Sequence, residues 1–207
     1  MSEPARSTPE RLVLFTDAVA AIALTLLVLP LVETVTEDSS EHRLGELVHE
    51  HLPQVGAFVL SFAVIFRFWW SHHRVFQHVA TLRPSLVAWS GLWTFGIVLM
   101  PIPTAIITAY SPSPASVAMY GGTLVLTSGS LTMLALLVYR HPEMSDDRPR
   151  ATREEVLGTT TVFAAQLLAT VVGATFAHTV NYWAFLLMFL TGPVERLVTS
   201  RWRRTTT

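Results

Sequence analysis

The chain has no cysteine and no lysine. The first absence excludes disulfides and thiol chemistry. The second means that all 14 basic residues are arginine. Charge of either sign is scarce, at 14% of residues, where soluble chains average about 25%. The net charge of −1 leaves no basic footprint for nucleic acid. No nucleophile elbow, no His-Glu-x-x-His zinc motif and no paired carboxylates within an apolar stretch are present, so catalysis is not expected. His72 and His73 are adjacent, face different sides of a helix and cannot share one metal ion. Residues 1–10 are polar and have no signal-peptide apolar core, so they read as a short disordered lead.

What is present is apolar. Hydrophobic residues make up 51% of the 207, and the mean hydropathy is +0.45. That composition excludes a pair of soluble domains and points to an all-α polytopic membrane protein, one unit over 1–207. Six spans are expected, at 12–34, 52–76, 85–109, 116–139, 155–178 and 180–198. Pro30 is expected to loosen the first near its end. The link 33–51 carries Glu33, Glu37, Asp38, Glu41, Glu46 and Glu50 against Arg43 alone, and reads as an acidic loop. A short amphipathic helix over 43–50 is one option for it. Gly121, Gly122 and the 127–130 Thr-Ser-Gly-Ser cluster are expected to let helices approach closely. Gln166 and the 159–161 threonines are expected to hydrogen-bond between helices, and His178 and Asn181 to cap an outer turn. No internal repeat is visible.

Arginine distribution orients the spans. The N-terminus, the 74–83 link, the 140–154 loop and the C-terminus hold arginines; the alternate links hold only Arg43. The positive-inside rule puts both termini in the cytosol and the acidic loop outside. Localisation in the cell membrane follows as an expectation.

The first span carries the most information. At about 100° per residue, Phe15, Ala18, Thr25, Leu26 and Leu29 fall within about 60° of Ile22. Asp17 falls about 140° away. The stripe is apolar with one hydroxyl, and the acid points elsewhere. A carboxylate within a span costs roughly 2.5–3.5 kcal/mol on insertion scales, so Asp17 needs a partner. Arg11, Trp69, His72 and His73 complete a polar set near the same end. Two readings stay open. One is a proton relay through Asp17 and His72 or His73, in a proton-coupled transporter or a proton pathway. The other is a structural network, with Asp17 accepting from an indole, an imidazole or Arg67.

Arg11-x-x-x-Phe15-Thr16-Asp17, followed by Ala-Ile-Ala-x-Thr-Leu-Leu-Val-Leu, resembles the first-helix signature of the transmembrane protein 175 family of potassium channels. That signature reads Arg-x-x-x-Phe-Ser-Asp; Thr16 stands here for the serine and keeps its hydroxyl. Trp69-x-x-His72-His73 is similar to the family's second-helix pattern. The resemblance implies a homotetramer whose first helices surround a pore. It implies that Arg11, Thr16, Asp17, Trp69, His72 and His73 form a hydrogen-bonded network holding that helix. Ile22, Leu26 and Leu29 then become apolar constrictions, with Ile22 the prime gate, and Thr25 a ring of hydroxyls for a dehydrated ion. Hydrophobic constrictions gate by dewetting. The expected function is passive potassium conduction in the lipid bilayer, with K+ the permeant ion and no cofactor. The chain lacks a Thr-Val-Gly-Tyr-Gly filter, so modest K+ over Na+ selectivity is expected. Four copies of the acidic loop could also ring the outer mouth and concentrate cations.

Overall fold

A computed structural model describes residues 8–38, 51–111 and 113–175 of the chain. Seven α-helices occupy them: α1 (Pro9–Leu26), α2 (Leu29–Asp38), α3 (Leu52–Phe76), α4 (Pro84–Leu99), α5 (Pro101–Ala109), α6 (Pro114–Arg140) and α7 (Arg153–Thr175). A 3-10 turn, Pro142–Met144, follows α6, and no strand occurs among the described residues. Five stretches are long and apolar enough to cross a membrane: Pro9–Glu33, Leu52–Phe76, Pro84–Ala109, Pro114–Arg140 and Arg153–Thr175. They match the first five expected spans within a few residues. The expected sixth, at 180–198, lies outside the described residues, as do the 43–50 helix, His178 and Asn181.

Two spans are broken, each beside proline. The first breaks at Leu27–Val28, slightly before the site expected from Pro30. Proline has no N–H to donate and is tolerated in the first turn of a new helix. Pro30 sits there as the second residue of α2. Val28 N–H turns back to the Thr25 carbonyl at 3.3 Å, tightening the end of α1. Because α2 runs on to Asp38, residues 33–38 are helical and not part of the expected loop. The third span breaks at Met100, before Pro101-Ile-Pro103, where Met100 N–H reaches the Ile97 carbonyl at 3.2 Å.

The helix starts follow from local chemistry. Ser113 and Ser116 form a capping box at α6, with Pro114 at its first position. Thr152 and Glu155 do the same at α7: Thr152 N–H donates to Glu155 Oε2 at 2.8 Å, and Glu155 N–H to Thr152 Oγ1 at 3.3 Å.

α6 occupies the middle, touching α3, α4, α5 and α7, while α1 packs on α3 and α4. Close packing at α6 rests on small residues. A Cβ added at Gly96 of α4 would collide with Thr127, and one at Gly121 with Thr170 of α7. Gly122, by contrast, faces open space. The hydroxyls of Thr123, Thr127, Ser128 and Ser130 bond carbonyls of α6 itself, three or four residues back. The threonines 159–161 behave the same way, so the expected interhelical role of their hydroxyls is not what they do. The bond between α6 and α7 uses a carbonyl instead: Thr132 Oγ1 donates to Thr159 O at 3.0 Å. Gln166 is buried, and its amide has no hydrogen-bond partner among the described residues.

The ends that carry arginine are stitched together. Ala80 and Thr81 donate their N–H groups to the Met144 carbonyl. Arg83 reaches His141 Nδ1 at 2.6 Å and Glu143 at 3.1 Å. The Glu143 carboxyl is held below the usual carboxylate range, first by its own backbone N–H, then by His141 and Arg83.

Candidate functional site

The site is built on α1. Beyond Pro9 in its first turn, its buried positions are small: Thr16, Ala20 and Ala23, followed by Leu27 just past its end. Their spacing of four, three and four residues keeps one narrow face against α3 and α4. Alanine at the contact lets the backbones come close without leaving a void. The wide opposite face is large and apolar. Leu14, Phe15, Ile22, Leu26 and Leu29 are all exposed on the protomer, Ile22 to 59%. Ala18, Ala21 and Thr25 lie among them and are exposed too. The stripe that helical arithmetic centres on Ile22 is thus left uncovered by the described residues.

Thr25 is the polar exception in that stripe. Its hydroxyl donates to the Ile22 carbonyl at 2.7 Å. The proton is spent within the helix, and the oxygen's lone pairs remain to accept or to contact a cation.

Asp17 lies between the two faces and is half-buried. Trp69 Nε1 donates to Asp17 Oδ1 at 2.7 Å. This charge-assisted bond fastens α1 to α3 and answers the cost of a carboxylate within a span. The indole is itself braced by neighbours. Trp69 packs on Phe66, Trp70 and His73, with ring centroids 5.3–6.0 Å apart.

The other polar residues expected in that network take different places. His72 is fully buried. Its Nε2 shares a hydrogen bond with Ser90 Oγ of α4 at 3.2 Å. Its ring lies between Phe76, at 4.5 Å, and Trp93, at 4.1 Å. His73 stacks on Trp69 and Trp70. Thr16 is buried and donates back along α1, to the Val13 carbonyl at 2.9 Å. Arg11 is exposed and enters no ion pair among the described residues. The Trp-x-x-His-His motif therefore splits. Trp69 holds α1, His72 holds α4, and His73 supports Trp69. No hydrogen bond joins Asp17 to His72 or His73.

Several residues of this arrangement were not singled out in the sequence. Ser90 and Trp93 receive His72, and nothing within residues 84–99 marks them as its partners. A second buried link joins α3, α5 and α6: Thr104 Oγ1 donates to Ser61 Oγ at 2.9 Å, and Ser61 Oγ lies 3.3 Å from the Tyr120 hydroxyl. A hydroxyl every few turns is the only signal these residues give.

Residues 11–101 match the family model described as "Endosomal/lysosomal potassium channel TMEM175". Those residues run from Arg11 through both motifs to the break at Met100. A potassium channel of Chamaesiphon minutus is 32% identical over 165 residues, covering 74% of this chain and 76% of that one. A potassium channel of a Chryseobacterium species is 34% identical over 134 residues, covering 64% of this chain and 66% of its own length. The crystal structure of a lysosomal potassium-selective channel TMEM175 homologue from Chamaesiphon minutus superposes with a TM-score of 0.61 at 25% identity. It covers 90% of this chain and 97% of that one. With the motif residues, the helix order and the relatives in agreement, this multi-pass membrane chain belongs to the TMEM175 family.

Proposed function

We propose that the chain is the subunit of a homotetrameric potassium channel in the cell membrane. It has six spans and both termini in the cytosol, and α1 from each copy lines one central pore. The observation that carries this reading is the exposure of Phe15, Ile22 and Leu26 along one face of α1, and of Leu29 at the start of α2. Such a face, with a single hydroxyl among its large apolar side chains, can meet lipid or further copies of the same helix. Around a fourfold axis it becomes a stack of apolar rings with Thr25 among them. Ile22, Leu26 and Leu29 then form constrictions that open by wetting, and Ile22 is the prime gate. Thr25 offers weak, reversible contact to a partly dehydrated ion, which suits modest K+ over Na+ selectivity. Asp17 and Trp69 act from behind the pore wall, fixing the rotation of α1 so that Ile22 faces inward. The relatives named as potassium channels support K+ as the permeant ion.

A proton path through Asp17 and the histidines has less support. Asp17 is engaged by Trp69, His72 by Ser90, and no hydrogen bond connects the two pairs. Potassium flux into liposomes holding the purified protein separates the readings. Flux driven by a potassium gradient alone, with no proton gradient, is the expected result. Flux that appears only with a proton gradient would overturn the channel reading.

A further inference from the structure

The loop between α6 and α7 reaches the first turn of α1, and this contact lies outside both family motifs. Arg148 stands in that loop. Its Nη2 donates to Glu10 Oε1 at 2.7 Å, and its Nη1 to the Phe76 carbonyl at 3.4 Å. Glu10 belongs to the first turn of α1, and Phe76 is the last residue of α3. One guanidinium thus ties the end of α1 to the end of α3.

The loop that presents Arg148 is held in place independently. Met144 is buried in the core, and its carbonyl accepts from Ala80 at 2.8 Å and from Thr81 at 3.1 Å. Asp146 adopts a left-handed backbone, with φ 47°, and the chain doubles back there toward α3. Aspartate is among the few non-glycine residues that adopt this conformation readily, and it serves here as a turn. Arg148 N–H closes a turn to Ser145 O at 2.8 Å, and at the next residue the loop is pinned again. His78 Nδ1 donates to the Pro149 carbonyl at 2.7 Å, and His78 Nε2 meets Glu155 at 3.1 Å. Arg74 lies 3.8 Å from the same carboxylate. Arg148 is therefore presented from a fixed platform, while its partner Glu10 sits on the helix proposed to line the pore.

We propose that Arg148 is a positioning residue for α1: through Glu10 it holds the Arg-bearing end of the pore helix against α3 and so sets how often the pore is open. Asp17–Trp69 fixes α1 about two turns further in, so the two contacts together restrain both tilt and rotation. Arg148–Glu10 is the more exposed of the two and the one able to release without uncovering a buried group. This inference rests on the reading of α1 as the pore helix.

The test is single-channel recording from the full chain in planar bilayers, under opposed potassium and sodium gradients. The proteins compared are wild type, Glu10→Arg, Arg148→Glu, the double exchange and Ile22→Asn. Each single charge reversal is expected to shift open probability in the same direction by about fivefold, the upper size for an exposed ion pair. The reversal potential stays at its wild-type value, because the rings themselves are untouched. The double exchange restores the pair and returns open probability to within about twofold of wild type. Should Arg148→Glu fail to assemble, Arg148→Gln is expected to give a smaller shift of the same sign. Wild-type gating in the charge variants, or a double exchange equal to the sum of the singles, would overturn the latch. In that case an Ile22→Asn protein with altered current leaves the pore reading standing. An Ile22→Asn protein with wild-type current overturns both.

Discussion

α1 and α6 are both long apolar helices, and they bury opposite halves of their chemistry. In the first span 22% of the apolar window is buried; in α6 it is 56%. α6 puts Tyr120, Leu124, Leu131 and Leu134 inside, together with four hydroxyl residues whose protons go to its own backbone. α1 puts alanines and Thr16 inside, packs Leu12, Val13 and Leu24 at the edge of the core, and leaves Leu14, Phe15, Ile22 and Leu26 out. In water the α1 arrangement would be inside out. In lipid, apolar surface gains nothing by leaving the tails, so helices associate through close approach and through polar links. What is left exposed is then free to serve another purpose. α6 spends most of its large residues on holding the protomer together; Leu14, Phe15, Ile22 and Leu26 of α1 lie on a face that the described residues do not cover.

That contrast can be broken by cutting each helix at its own kind of contact. The largest expected effect on stability is in α6. Leu124→Ala opens a cavity at a fully buried position and is expected to cost about 2–5 kcal/mol. Thermal unfolding in detergent reads it directly. An unchanged midpoint would mean that α6 is not the packed centre described here.

Asp17→Ala comes next. It removes the acceptor of the Trp69 indole and leaves that donor unpaired in the span. A loss of about 1.5–3 kcal/mol is expected, the size of a hydrogen bond to a charged group. Asp17→Asn keeps an acceptor and should lose less. Equal losses for the two variants would show that the charge, and not the link to α3, is what matters. The same comparison sharpens the functional argument, since a loosened α1 should also conduct abnormally while the Leu124 variant, once stabilised in lipid, should not.

Much of this was readable from residue order. Five described spans agree with hydropathy within a few residues, because length and apolarity set them. The Ile22 stripe and the separate direction of Asp17 followed from helical angles, and exposure of Phe15, Ile22, Leu26 and Leu29 agrees with them. The Asp17 partner was narrowed to an indole, an imidazole or Arg67; only coordinates distinguish Trp69 among these. Helix breaks were harder. Proline marks them only to within a turn, since the strain can be taken up on either side: the first span breaks at Leu27–Val28, before Pro30. Least legible were the pairs distant in sequence. His72 with Ser90, Ser61 with Tyr120 and Glu10 with Arg148 join residues 18, 59 and 138 apart. Nothing local to either member of these pairs encodes the other. Hydroxyls misled for a related reason: the 159–161 threonines have their own helix carbonyls within reach and use them.

The smallest expected effect on the fold accompanies the largest on conduction, and it falls on Ile22. The side chain is 59% exposed on the protomer, so Ile22→Asn should change stability by no more than about 0.5 kcal/mol. The measurement that tests the central claim most directly is the single-channel current of Ile22→Asn beside wild type, under opposed potassium and sodium gradients. The account predicts a larger unitary current and weaker discrimination between the two ions, because a polar ring no longer excludes water from the constriction. A current of wild-type size and selectivity from a folded Ile22→Asn protein would contradict it, and would return the exposed face of α1 to lipid.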